Sequence, residues 1–281
     1  MRLRFVLLLL LAVSGVCAAD RVPAEMSGSG LLCPILIYHT VREYLPSEST
    51  AERQYITTPE AFEKELAFLK AEGYASVSMD DLAAALEGER PLPSRPVVLT
   101  FDDGWASQYR NAFPLLKKYG FRATFYIFTN GVGAKHFMNR NQLSELLAAG
   151  MEIGSHSCSH PYLWKIGNER SLREEIVESK KKLEALLGRP VTTFAYPFGH
   201  YTDAIVALTK EAGYRSARST YPGIRHARDE LFMLTGFINV TRVAEIEAGL
   251  LASLQPAGVR SEMPPPASTR RSMAVESYIL D

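Results

Sequence analysis

Cysteine is scarce, charge of one sign is missing, and after the N-terminus there is no long apolar run. Each absence excludes something. Cys17, Cys33 and Cys158 are the only three cysteines in 281 residues. A disulfide-stapled scaffold needs more. Cys33 and Cys158 lie far apart in sequence, which is weak evidence for a pair, and Cys158 reads as a small residue filling a turn rather than as a metal ligand. The 31 basic residues equal the 31 acidic ones, so net charge points neither to nucleic acid nor to an acidic surface as partner. The chain carries no internal repeat beyond an alternation of strand-like and helix-like segments.

The one apolar run, Phe5 to Val13, follows Arg2 and Arg4 and precedes the small residues Ala18 and Ala19. That order is a secretory signal peptide over residues 1–19, and the run is too short to span a membrane comfortably. Cys17 raises a lipid anchor, but Val16 before it is bulkier than the small residue usual there. The expectation is an exported protein, secreted or periplasmic, with no membrane span after cleavage. Residues 20–33 read as a Gly/Ser-rich linker, 34–255 as one domain, and 256–281, with Pro264-Pro265-Pro266, as a flexible tail. The sequence gives no oligomeric state.

Within the domain, strands and helices alternate. Pro34–Val41 reads as a strand and Arg42–Ile56 as a loop. A helix follows, capped by Thr58 with Pro59 at its first position and closed by Gly73. Further strands are expected at Tyr74–Val77, Val97–Phe101, Ala123–Phe128, Met151–Ser155, Val191–Tyr196, Tyr214–Arg218 and Phe232–Val240. Helices are expected at Asp80–Leu86, up to Tyr119, at Gln142–Ala149, Leu172–Leu187, Asp203–Ala212 and near Val243–Leu251. Short connections between alternating elements argue for parallel α/β architecture, and an open doubly wound sheet and a closed barrel both fit. The barrel is favoured because His39, Asp102, Asp103, His156 and the Tyr196-Pro197 pair all fall at C-terminal strand ends. That rim is where barrel sites assemble.

Val97-Val98-Leu99-Thr100-Phe101 ends in Asp102-Asp103-Gly104-Trp105. Two adjacent carboxylates repel and do nothing for a strand end, so they are either solvated turn residues or servants of a metal. His156 and His160, four apart in Gly154-Ser155-His156-Ser157-Cys158-Ser159-His160, suit two imidazoles on one divalent ion. With one carboxylate they make a catalytic set that leaves positions open for water, while the other carboxylate stays free as a base. Spacing does not say which acid does which. Phe194-Ala195-Tyr196-Pro197-Phe198-Gly199 is a sharp strand–turn junction of a kind that aims a backbone N–H at an oxyanion. His39, beside Tyr38 at a strand end, competes for the role of general acid. Trp105, Tyr162 and Trp164 follow the motifs and could stack on a ligand or simply pack.

Thr100-Phe101-Asp102-Asp103-Gly104 together with His156-Ser157-Cys158-Ser159-His160 resembles the polysaccharide deacetylase family, the NodB-homology domain of carbohydrate esterase family four. The likeness runs in order and type from about Pro34 to Val240. It implies a single deformed (β/α) barrel of about seven strands with a zinc-type site. By the same resemblance Asp103, His156 and His160 hold the divalent metal and Asp102 is the base. A metal-activated water attacks the acetamide of an N-acetylated polysaccharide, the Phe198 backbone N–H holds the oxyanion, and Tyr196 and Pro197 join Trp105, Tyr162 and Trp164 as possible contacts to the sugar.

Two departures stand out. Many members carry an arginine two residues before the proline, which orients the base; here that position is Ala195. Many carry a late histidine as general acid, whereas none follows His226. Both departures fit the biofilm poly-N-acetylglucosamine deacetylase-like subgroup, with circularly shifted motif order, in which an N-terminal Tyr-His supplies the acid. There His39 takes that role, which suits the near-neutral chemistry of an imidazole. Acetylated xylan or peptidoglycan as substrate, or a catalytically silent sugar-binding module, are the alternatives.

Overall fold

A computed structural model describes residues 30–238. The expected signal peptide, most of the linker, the helix near Val243–Leu251 and the tail lie outside the described residues.

Parallel strands form where apolar, β-branched runs are buried on both faces. They are β1 (Ile35–Tyr38), β2 (Pro96–Phe101), β3 (Thr124–Ile127), β4 (Glu152–Ser155), β5 (Thr193–Ala195), β6 (Ser216–Arg218) and β7 (Phe237–Ile238). They hydrogen-bond in the order β6-β5-β4-β3-β2-β1-β7, with Ala75–Ser76 pairing beside the start of β2. The sheet curls so that its ends meet. The Leu234 N–H donates to Ala217 O at 3.1 Å and the Ser219 N–H to Leu234 O at 2.8 Å, after which the chain runs on into β7 beside β1. The expected barrel-like sheet is therefore what forms, rather than an open doubly wound one. Its last strand starts later than the expected Phe232, because the chain turns from β6 to β1 between Leu234 and Phe237, and the expected residues 239–240 lie outside the described residues.

The register sets the rim. Tyr38 lies beside Phe101 and Phe101 beside Phe125. Ile127 lies beside Ser155, Ser155 beside Phe194, and Ala195 beside Arg218. His39, Asp102 and His156 each follow directly on the C-terminal end of one of these parallel strands, so all three stand on the same rim.

Helices cover the outside, and their ends follow local chemistry. Helix α1 (Pro59–Ala71) is capped by Thr58 and buries Phe62, Glu65, Leu66 and Leu69. In α2 (Met79–Leu86) Ser78 and Asp81 form a reciprocal capping box. Helix α3 (Phe113–Tyr119) ends on Gly120 at φ 74°. Asn139 caps α4 (Arg140–Ala148) and Asn168 caps α5 (Glu169–Leu187), so both begin two or three residues earlier than the apolar period alone indicates. Helix α6 (Asp203–Glu211) is capped by Thr202.

Three expectations change at the N-terminal side. The strand expected over Pro34–Val41 divides, since Thr40–Val41 leaves β1 and pairs in parallel with Ile56–Thr57. The loop between contains a helical turn, Thr50–Arg53, with its own Ser49–Glu52 capping box. Leu31–Leu32, assigned to the linker by composition, pairs antiparallel with Arg225–His226 and so belongs to the fold. Cys33 and Cys158 are both buried and free. No helix among the described residues is long and apolar enough to cross a membrane.

Candidate metal centre and its rim

The chain after β2 must turn at once, because the strand interior is full. Asp103 takes φ 73° and Gly104 φ 81°. Asp is among the few side chains that tolerate this left-handed region. Ser157, His160 and Phe198 also carry positive φ, at 71°, 58° and 60°. Apart from His136, the non-glycine residues so strained among the described residues lie on the site loops, which is where backbone strain concentrates when a site over-determines its loops.

Asp103, His156 and His160 converge. Each offers one ligand atom, all within 4.8 Å of one another, and all three residues are buried. Asp103 Oδ1 lies 3.6 Å from His156 Nε2 and 3.3 Å from His160 Nε2, and the two Nε2 atoms are 3.2 Å apart. The donor set fits a divalent ion. Burial holds both imidazoles down at about 4, so each presents a neutral lone pair. Asp103 Oδ1 is buried without a hydrogen-bond partner, as a ligand oxygen would be. The outer atoms are braced: His156 Nδ1 sits 2.7 Å from Ala195 O, and the Trp105 indole N–H donates to Asp103 Oδ2 at 2.9 Å. Such partners orient ligands and raise their basicity.

The histidine loop hangs on α5. Glu175 accepts from the Cys158 and Ser159 N–H groups at 2.9 Å each and from the Ser159 hydroxyl at 2.6 Å. Cys158 Sγ lies 3.1 Å from Glu174 O, so the cysteine packs the turn on the helix, as its size suggested. The two histidines therefore meet through a tight loop, with the His160 N–H donating to Ser157 Oγ at 3.0 Å.

Asp102 lies beside this trio, wholly enclosed. Its Oδ1 accepts from the guanidinium of Arg218, and its Oδ2 lies 3.9 Å from His39 Nε2. Burial alone would raise its pKa, but Arg218 and then the nearby imidazoles hold the carboxyl below its usual range. The Gln108 amide donates to the backbone carbonyls of both His39 (2.8 Å) and Asp102, clipping the ends of β1 and β2 together. The His39 ring stands edge-on to Tyr55 at 4.9 Å. Its side chain is 14% exposed, enough to reach a ligand from solvent.

The aromatic candidates divide. Trp105 is buried, stacked on Phe137 at 4.5 Å with its N–H on Asp103, so it braces a ligand rather than facing a sugar. Tyr196 is buried with its hydroxyl on Phe232 O at 3.0 Å, and Pro197 is buried beside it; both are internal rather than substrate-facing. Tyr162 instead stacks on Phe198 at 3.9 Å, Phe198 stands edge-on to His160 at 4.6 Å, and Trp164 is 48% exposed. These three rings make a wall beside the metal ligands. Sequence reasoning missed Arg218 and Glu175, for neither stands in a motif. His226 is buried with Nε2 2.9 Å from Cys33 O.

A family model described as polysaccharide deacetylase matches residues 89–217. The Bacillus subtilis (strain 168) protein YxkH is 28% identical over 190 residues, covering 68% of this chain and 65% of its own length. The chain thus spans just under two thirds of that relative. The poly-β-1,6-N-acetyl-D-glucosamine N-deacetylase of Staphylococcus aureus (strain MRSA252) is 27% identical over 219 residues, 70% of this chain and 75% of that protein. A solved Bacillus anthracis structure described in polysaccharide deacetylase terms is 31% identical, with a TM-score of 0.68. It covers 80% of this chain and 70% of that one.

Proposed function

The chain belongs to the polysaccharide deacetylase family, and from that premise we propose that it is an amide hydrolase releasing acetate from N-acetylglucosamine units of a polysaccharide. Asp103, His156 and His160 are the residues to hold a divalent metal of the zinc type. The observation that carries the reading is the separation of the two aspartates. Asp103 turns Oδ1 toward the histidine pair, while Asp102 directs Oδ2 toward His39 Nε2, 3.9 Å away.

A divalent ion held by these donors supplies Lewis acidity toward an amide carbonyl and makes water more acidic. The remaining steps belong to side chains. Asp102 Oδ2 takes the proton of the attacking water, and its pairing with Arg218 keeps it ionised and therefore ready as a base. His39 donates a proton to the departing amine, since it shares the rim and its ring reaches solvent. The backbone N–H of Phe198 takes the role of oxyanion donor, its residue held at φ 60° in the Pro-Phe-Gly turn. Tyr162, Phe198 and Trp164 offer flat faces for sugar rings. One water adds across the C–N bond to give acetate and a free amine.

The N-terminal signal pattern supports export, which suits a polymeric substrate outside the cell. The S. aureus relative supports β-1,6-linked poly-N-acetylglucosamine as the first polymer to test. An acetate-release panel over β-1,6-linked N-acetylglucosamine oligomers, chitin oligomers, peptidoglycan and acetyl-xylan decides the polymer. Turnover confined to peptidoglycan or acetyl-xylan replaces the substrate, and binding without release from any of them supports a sugar-binding module instead.

A further inference from the structure

The guanidinium beside Asp102 comes from far away. Arg218 is separated from Asp102 by 116 residues, and β6 lies four places from β2 in the strand order. Its side chain therefore crosses the interior of the curled sheet. It is completely buried, its Nε has no partner, and its other terminal nitrogen reaches only Ser219 O at 3.4 Å. A buried ion pair is a poor source of stability, because desolvation offsets most of the attraction. Its value here is geometric.

A platform carries it. The guanidinium carbon lies 4.8 Å above the Tyr126 ring. The Tyr126 hydroxyl pairs with Thr193 Oγ1 at 2.8 Å. That ring position requires a glycine on the next strand, since a Cβ at Gly154 would meet Tyr126 Cε1 at 2.5 Å, Tyr126 Cδ1 at 2.6 Å and Thr193 Cγ2 at 2.9 Å. Ala195 is the register partner of Arg218 on β5, equally buried, and its carbonyl orients His156. The small side chain at 195 leaves the interior to the arginine alongside it.

We infer that Arg218, seated on Tyr126 over Gly154, is the positioning residue of Asp102, and that an arginine at position 195, its register partner on β5, would serve in its place. The cation pins Oδ1, which leaves Oδ2 pointing toward His39. This inference rests on the proposed deacetylase reading for its kinetic consequence but not for its geometric one.

The test compares zinc-loaded wild type with R218K, R218A and the A195R/R218A double variant, measuring kcat, KM, zinc per chain and thermal midpoint. Lysine keeps a charge but loses the fork, so R218K covers the case in which R218A does not fold. R218K is expected to keep zinc and KM while kcat falls about 10²-fold, the scale of a misplaced catalytic group. The double variant is expected to regain most of the kcat lost in R218A. A crystal structure of R218K is expected to show the Asp102 carboxylate turned from its wild-type plane, a readout that needs no turnover. Wild-type kcat in R218K, or activity lost only in step with zinc, overturns the positioning role. A double variant no more active than R218A overturns the interchange. Zinc-loaded wild type that releases no acetate overturns the proposed function instead, and the orientation of Asp102 in R218K then still decides this inference.

Discussion

Replacing Glu65 by Gln should make the protein more stable in mild alkali while leaving it nearly unchanged in mild acid. Glu65 lies on the buried face of α1, 2% exposed. Its Oε2 accepts from the Tyr38 hydroxyl at 2.8 Å, and its Oε1 has no partner. Burial pushes the carboxyl from 4.5 up to about 8, with the Tyr38 hydrogen bond pulling weakly the other way. The folded chain therefore binds a proton that the unfolded chain releases between those two values. The group's contribution is complete below 4.5 and is lost as pH rises through about 8. At ~1.4 kcal/mol per unit, full ionisation costs on the order of 5 kcal/mol. Glutamine keeps an acceptor for Tyr38 and has no charge to bury. Urea unfolding at pH 5, 7 and 9 reads the difference between wild type and E65Q, and taking the difference removes the titration of Glu152, which burial also raises, to about 7. Near-equality at pH 5 and an E65Q advantage of a few kcal/mol at pH 9 are expected. A difference independent of pH would refute the reasoning, because it would mean that Glu65 titrates alike in both states.

Three further outcomes follow from the site. W105F keeps a ring against Phe137 but removes the N–H from Asp103 Oδ2; zinc affinity, measured by competition with a chelator, should fall about 10- to 100-fold, and unchanged affinity would remove Trp105 from the site's support. H39A should lose about 10²- to 10⁴-fold in kcat with zinc still bound, whereas wild-type turnover would put the acid elsewhere. G199A places a Cβ 1.9 Å from Thr220 Oγ1 at a residue with φ 76°; chemical denaturation should show a loss of more than about 1 kcal/mol, and a neutral result would mean that the Pro-Phe-Gly turn yields freely.

Much of the site was legible because its chemistry is local. Adjacent acids at the end of an apolar strand, and histidines four apart, have few bland explanations together, and they fall on one rim once the strands are parallel. The rest depends on distance through space. Arg218 reads as the charged end of a short strand until the sheet curls and brings β6 opposite β2. Glu175 reads as one more charge on the exposed helix α5 until the histidine loop rests on it. Trp105 and Tyr196 were candidates for sugar contact because an aromatic next to a motif can face either way. The turn at Gly104 and the strand period at Tyr196 send both inward, leaving Tyr162, Phe198 and Trp164 outside. The division of Pro34–Val41 was equally hidden, since nothing local tells Thr40 to leave β1 for Ile56.

The central claim is that Asp102 works as a base beside a metal held by Asp103, His156 and His160. The direct measurement is acetate release from β-1,6-linked N-acetylglucosamine oligomers by the zinc-loaded protein, with D102N and chelator-treated protein in parallel and zinc content determined for each. The account predicts release by wild type, loss of release on chelation with recovery on zinc addition, and a D102N protein that holds zinc yet turns over at least about 10²-fold more slowly. Wild-type turnover in zinc-loaded D102N, or release that persists in fully chelated protein, would contradict it.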